Sequence, residues 1–191
     1  MSGASEYSGV GGALGREELL VRIQGTAPLI SGFVSLEDQL QPNGFDLSLA
    51  EVGQFAGGGA IGRSNANRTL PEVQPIPFDG SGWLDLRPGP YQIIFNETVA
   101  LPNSLMALGR PRSSLCRAGA TIVTAVWDAG YRGRSTALLL VENLAGIRIE
   151  RDARLMQLVF LTLNEPTIRG YDGAYQGENL PVERPGQSRR A

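Results

Sequence analysis

The chain contains no His, no Lys and a single Cys, Cys116, and these absences remove most of the familiar catalytic machinery. Without His there is no Ser-His-Asp or Cys-His nucleophile, and with one Cys there is no His- or Cys-based zinc site. A lone Cys forms no internal disulfide. All 17 basic residues are Arg, which excludes a lysine-bearing phosphate loop and Schiff-base chemistry. A general base near neutral pH must then be a carboxylate or a water held by one. A formal net charge of -2 and a pI near 5.3 leave no basic face for nucleic acid. No apolar run approaches the roughly 18 residues of a membrane span. The opening MSGASEYSGVGGALG lacks the charged and apolar regions of a signal peptide, so a soluble cytoplasmic protein is expected.

What remains is a strand-rich text. With 191 residues, 42% of them hydrophobic, the chain can enclose one sizeable core. Gly and Ser dominate residues 1–14, and residues 179–191 hold two Pro, a Gly and three Arg. Both ends are expected to be disordered or mobile, leaving 15–178 as a single domain. Residues 16–23 can form a short helix, after which Pro and Gly recur too often for long ones. Phe45, Leu47 and Leu49 alternate with Asp46, Ser48 and Ala50, the signature of a half-buried strand. Leu84 and Leu86 precede an Arg-Pro-Gly-Pro turn at 87–90 that leads into a strand at 91–95. Further strands are expected at 105–108, 121–126, 136–141, 147–149 and 155–163. The set implies an all-β sandwich or barrel, interrupted by one helical turn at 113–118, capped by Ser113 and ended by Gly119.

The chemistry concentrates in residues 112–133, RSSLCRAGATIVTAVWDAGYRG. Arg112, Ser113 and Ser114 open the helical turn, where unpaired N–H groups, two hydroxyls and a guanidinium favour an anion such as a phosphate. A plain cap beside a solvated Arg would read the same. Asp128 follows an apolar strand and opens a turn with Gly130 and Gly133. A carboxylate at the end of an apolar strand is expected to be partly desolvated and to hold a water as base if an Arg lies near, or else to satisfy its own turn. Tyr131 offers a flat face to a sugar, or to the core. Gln157, an amide in an apolar strand, needs a partner from backbone or ligand. The stretch 57–62, GGGAIG, fits the dinucleotide fingerprint in letters only, because Arg-Ser-Asn follows where a helix should start, and it reads as a surface loop.

Together these segments resemble the dUTPase and dCTP deaminase superfamily, and within it the archaeal-type dUTP nucleotidohydrolases. Gln41-Pro-Asn-Gly-Phe-Asp-Leu is similar to the first motif, Arg112-Ser-Ser-Leu to the second, Thr124-Ala-Val-Trp-Asp-Ala-Gly-Tyr-Arg-Gly to the third and Gln157-Leu-Val-Phe to the fourth. Tyr171-Asp-Gly-Ala-Tyr-Gln-Gly-Glu resembles the tail signature of the deaminase-like branch. The resemblance implies a β-clip or distorted jelly-roll fold, and a homotrimer whose three active sites are shared between subunits. It implies hydrolysis of dUTP to dUMP and diphosphate. Asp128 would orient the attacking water, Tyr131 would pack on the deoxyribose and disfavour a 2'-hydroxyl, and Arg112, Ser113, Ser114 and Gln157 would hold phosphates. Arg117 would face the site, Asp46 would have an orienting role, and backbone groups of Ala125, Val126 and Trp127 would read the uracil. Tyr171 and Gln176 would contribute from the tail, and Mg2+ would bind through triphosphate oxygens and water.

Two departures from the family pattern bear on the reaction. Deaminases carry a catalytic Glu ten residues after the Asp of the third motif, and here that position is Leu138, which cannot shuttle protons. Glu142 lies two pleat repeats further on, some 13 Å by strand rise. Ala174 stands where deaminases carry a Lys for the triphosphate, and the Gly-rich fifth motif of trimeric dUTPases is missing. Deamination of dCTP, alone or beside dUTP hydrolysis, and a catalytically silent nucleotide-binding protein are the alternatives.

Overall fold

The computed structural model describes residues 12–181. The parts of the two expected mobile ends at 1–11 and 182–191 lie outside the described residues. The inner ends of both segments belong to the domain: Ala13 bridges Leu161, Leu14 is buried, and the Asn179 amide donates to Arg134 O at 2.8 Å. Helix α1 is Arg16–Gln24, followed by β1, Ile30–Ser31, a single turn α2, Leu36–Gln39, and β2, Leu40–Gln41. Then come β3, Gly44–Ala56, β4, Glu72–Pro75, β5, Trp83–Leu86, β6, Gly89–Ala100, and β7, Leu105–Pro111. The short helix α3, Ser113–Arg117, precedes β8, Ala120–Val123, β9, Arg132–Val141, β10, Ile147–Glu150, and β11, Arg154–Thr162. No described helix is long and apolar enough to cross a membrane.

Two-residue alternation drives the architecture. On β6 the inward positions are Tyr91, Ile93, Phe95, Glu97 and Val99, and on β9 they are Gly133, Ser135, Ala137, Leu139 and Val141, so each strand gives one face to the core. The main sheet runs β7-β11-β3-β6-β9-β8, with β1 on β6 and with β2 and β4 on β3. It nearly closes, because Ala107 of β7 exchanges two backbone hydrogen bonds with Trp127, at 2.9 and 3.1 Å. Register shifts at 49/51 in β3, 94/98 in β6 and 154/156 in β11 bend the long strands around a core that includes Phe45, Phe95 and Phe160. β5 and β10 pair as a separate ribbon. The Gly-rich loop at 57–62 belongs to the exposed β3–β4 connection, pinned by the Ala60–Thr69 bridge.

The strands and the helical turn depart from the sequence reading at β3, at the end of β8 and at the start of α3. β3 is buried on both faces, with Asp46 and Ser48 as enclosed as Phe45 and Leu47, because α2 and the bend of the sheet cover the side expected to meet solvent. β8 ends at Val123 rather than 126. The helical turn begins at Ser113, which places Arg112, not Ser113, at its cap position, with no side-chain cap bond.

Candidate active site

The turn after β8 carries the third motif. Gly130 there has φ +86, and a Cβ would lie 2.7 Å from the Gly170 Cα, so the turn is tight and the tail packs against it. This brings Ala125, Val126, Trp127, Asp128 and Tyr131 to one side of a cleft of about 480 Å³, with Gln92, Ser135 and Thr136 as its floor. Tyr171, Tyr175 and Glu178 of the C-terminal segment close the far side, and Leu70 of the β3–β4 connection stands at its edge. Tyr171 meets Tyr131 edge-on, ring centroids 5.9 Å apart.

Asp128 is exposed, contrary to the expectation of a partly desolvated carboxylate, since β8 has already ended and Ala125 and Val126 beside it face solvent. Its backbone carbonyl accepts from Tyr131 N at 3.1 Å. Its carboxylate has no hydrogen-bond or ion-pair partner among the described residues, so it does not serve its own turn and is available to a ligand or water.

Tyr131 is buried, and its hydroxyl lies 3.1 Å from Ser135 Oγ and donates to Glu178 Oε1 at 2.9 Å. Trp127 Nε1 donates to Ser135 Oγ at 2.6 Å. Burial, reinforced by the Glu178 charge, pushes the Tyr131 phenol well above its usual range and keeps it protonated. Burial likewise raises the Glu178 carboxyl, against hydrogen bonds from Tyr131 and Thr136. Gln176 does not line the cleft. Its amide is spent on the tail, accepting from Arg132 N at 2.8 Å and donating to Gly130 O and Tyr171 O at 2.9 and 3.2 Å.

The remaining predicted residues form a second group that does not line this cleft. Asp46, 1% exposed, is held by Arg112 Nε at 3.1 Å and Arg154 Nη1 at 3.5 Å. Burial raises its carboxyl, and the two guanidiniums oppose that shift. Arg112 is thereby fixed at the start of α3, where Ser113, Ser114 and Arg117 are exposed. Gln157 pairs with Asp46 on one side and Arg110 on the other through the strand register, and its half-buried amide has no hydrogen bond among the described residues. The guanidinium and two exposed hydroxyls at the start of α3 can bind an anion.

Sequence reasoning missed Ser135, Glu178 and Glu97. Ser135 and Glu97 occupy inward positions of otherwise apolar alternations on β9 and β6, a visible signal. Glu97 is fully buried and accepts from Gln39 Nε2, Ser48 Oγ and Ser48 N at 2.6, 2.6 and 2.9 Å. Gln39 also donates to Asp46 O at 2.8 Å, which ties this network to the Asp46–Arg112 pair. Glu178 ends the tail segment that begins at Tyr171, but the sequence gave it no role of its own.

Comparison with known proteins identifies the family of the chain. A probable deoxyuridine 5'-triphosphate nucleotidohydrolase of Methanosarcina acetivorans is 48% identical over 166 residues, 87% of this chain and 97% of the relative. One from Archaeoglobus fulgidus is 48% identical over 152 residues, 80% of this chain and 89% of the relative. Among solved structures, the 2'-deoxycytidine 5'-triphosphate deaminase of Agrobacterium tumefaciens superposes with a TM-score of 0.63 at 21% identity. That match covers 80% of this chain and 49% of the deaminase chain, and it is a likeness of fold. The dCTP deaminase-like family matches residues 14–163, which takes in β1 to β11, the Asp128 turn and the Asp46–Arg112 group but not Tyr171, Tyr175, Gln176 or Glu178 of the tail, and the chain belongs to that family.

Proposed function

We propose that the protein hydrolyses dUTP to dUMP and diphosphate. The observation that carries this reading is the Asp128 carboxylate, without a partner among the described residues, lining a cleft with Trp127 and Tyr131, in a chain whose relatives bear the name of that activity. Asp128 accepts a proton from a water, whose oxygen bonds to the α-phosphorus as the bond to the bridging oxygen breaks and diphosphate leaves. The Tyr131 ring takes the deoxyribose, and backbone groups of Ala125, Val126 and Trp127 read the uracil edge. Tyr171 closes the sugar side, while Gln176 acts by holding the tail in place.

Arg112, Ser113, Ser114, Arg117 and Gln157 bind phosphates. Because they lie off the cleft of their own chain, a neighbouring copy supplies them, and a closed homotrimer completes three sites. Exposed Val123 and Val126 beside the cleft give that contact an apolar component. Among the described residues no three carboxylates converge, which suits Mg2+ held mainly by triphosphate oxygens and water. Such an ion would neutralise charge developing on the phosphates. The substrate is the free nucleotide, so the protein acts in the cytoplasm without nucleic acid or membrane.

The test is incubation of the pure protein with dUTP and dCTP separately, identifying base and phosphate products of each. dUMP and diphosphate from dUTP are expected. Unchanged dUTP under conditions where the protein is folded would refute the reading.

A further inference from the structure

Four residues of the cleft form one hydrogen-bond chain whose direction their chemistry dictates. Trp127 Nε1 can only donate, and an ionised carboxylate can only accept. With Trp127 donating to Ser135 and Tyr131 donating to Glu178, the Ser135 proton is left to bond the Tyr131 oxygen at 3.1 Å. Both hydrogen-bonding functions of the phenol are thus engaged, and Glu178 is the terminal acceptor. The docking of Glu178 is specific. Its carbonyl accepts from Arg134 N at 3.0 Å, and the next residue, Asn179, donates to Arg134 O and Thr136 Oγ1 at 2.8 and 3.0 Å. Gly133 leaves the slot open, since a Cβ there would lie 2.6 Å from the Tyr131 hydroxyl and 3.1 Å from Glu178 Cγ. Glu178 takes no part in the hydrolysis itself.

We propose that Glu178 is a positioning residue which, by taking the Tyr131 proton, sets the preference of the cleft for deoxyribose over ribose. The inference rests on the reading that the sugar packs against Tyr131. A 2'-hydroxyl brought to the phenol would give up water and find the phenolic proton committed to Glu178 and the oxygen already accepting from Ser135. A buried hydroxyl left without a partner is disfavoured. Loss of Glu178 frees the Tyr131 proton for a 2'-oxygen, so the ribonucleotide gains.

The test is calorimetric binding of dUMP and UMP at pH 8 to the full-length chain, to Glu178→Ala, Glu178→Gln, Tyr131→Phe and the Tyr131→Phe/Glu178→Ala pair. Neither ligand is consumed, so the ratio is readable whatever the turnover with dUTP. That separates the inference from the hydrolysis reading, which stands or falls on products. The wild type should prefer dUMP, and Glu178→Ala should shrink the preference by about tenfold, mostly through tighter UMP binding. Glu178→Gln retains an acceptor oxygen and should keep most of the preference. In Tyr131→Phe, which has no proton to release, the Ala substitution should change nothing further. Equal weakening of both ligands by Glu178→Ala, an undiminished effect in the Tyr131→Phe background, or no dUMP preference in the wild type would each overturn the proposal.

Discussion

Replacing Glu97 by Ala strips the acceptor from three buried donors at once. Gln39 Nε2 keeps its bond to Asp46 O, but Ser48 N and Ser48 Oγ lose the carboxylate that receives them. Each buried group left unpaired costs about 1–3 kcal/mol, and relief of the carboxylate's own desolvation returns part of that. A net loss of about 3 kcal/mol follows, or roughly 6–12 °C in Tm for a chain of this size. Glu97→Gln keeps one accepting oxygen but turns an N–H toward Ser48 N, costing about 1–3 kcal/mol.

The Gln variant also carries a pH signature. Burial raises the Glu97 carboxyl above its ordinary value of 4.5, against the hydrogen bonds it receives, so the folded chain holds that proton more tightly than the unfolded one. Its contribution is then complete below about pH 4.5 and is lost as pH rises through the folded pKa. Gln does not titrate, so the Tm gap between wild type and Glu97→Gln should be widest near pH 5 and narrow toward pH 8. The assay is thermal melting at both pH values and at one fixed protein concentration, since association shifts apparent stability. A gap that stays constant or widens with pH would refute the assignment, and an Ala variant as stable as wild type would refute the network.

Three further outcomes follow from the site. Asp128→Asn should fold and bind nucleotide normally yet lose about 10² or more in turnover, and near-normal turnover would assign the water to another group. Light scattering at micromolar concentration should give the mass of three chains, while a fully active monomer would refute the shared site. No ammonia should appear from dCTP, because Leu138 occupies the position of the deaminase Glu and a site bonded to uracil rejects cytosine by roughly 10⁴. Ammonia at a rate comparable to diphosphate release from dUTP would move the protein to the bifunctional class.

Much of the fold was legible because the strands alternate. Tyr91, Ile93 and Phe95, and Ala137, Leu139 and Val141, carry their burial in their spacing, and the 16–23 helix extends only to Gln24. The limits are equally physical. Periodicity along one strand cannot report what covers its other side, so Asp46 and Ser48 read as solvent-facing although α2 encloses them. The apolar run at 121–126 promised a longer strand than β8, since Thr, Val and Ala suit an exposed edge as well as a buried one. The third-motif residues were identifiable as a group because they are contiguous. Glu178 stood at the end of the recognised tail segment, but its role was hidden because its partner, Tyr131, is 47 residues away and nothing local marks a carboxylate that will dock on a phenol.

Absence of His and Lys makes the base a carboxylate on composition alone, and the structure narrows that set by occupancy. Asp46 is committed to Arg112 and Arg154, and Glu97 to Gln39 and Ser48. Glu178, although it lines the cleft, is committed to Tyr131. Burial raises all three carboxyls, and the hydrogen bonds and ion pairs that hold them leave little freedom to take a proton from water and release it each turnover. Asp128 alone lines the cleft with an exposed carboxylate that no described residue engages. Its exposure, at first sight a weakness in a base, leaves space for a water and for phosphates to approach from a neighbouring rim. A base already satisfied by its own fold would have to break those bonds before each reaction, whereas the Asp128 carboxylate has none to break among the described residues.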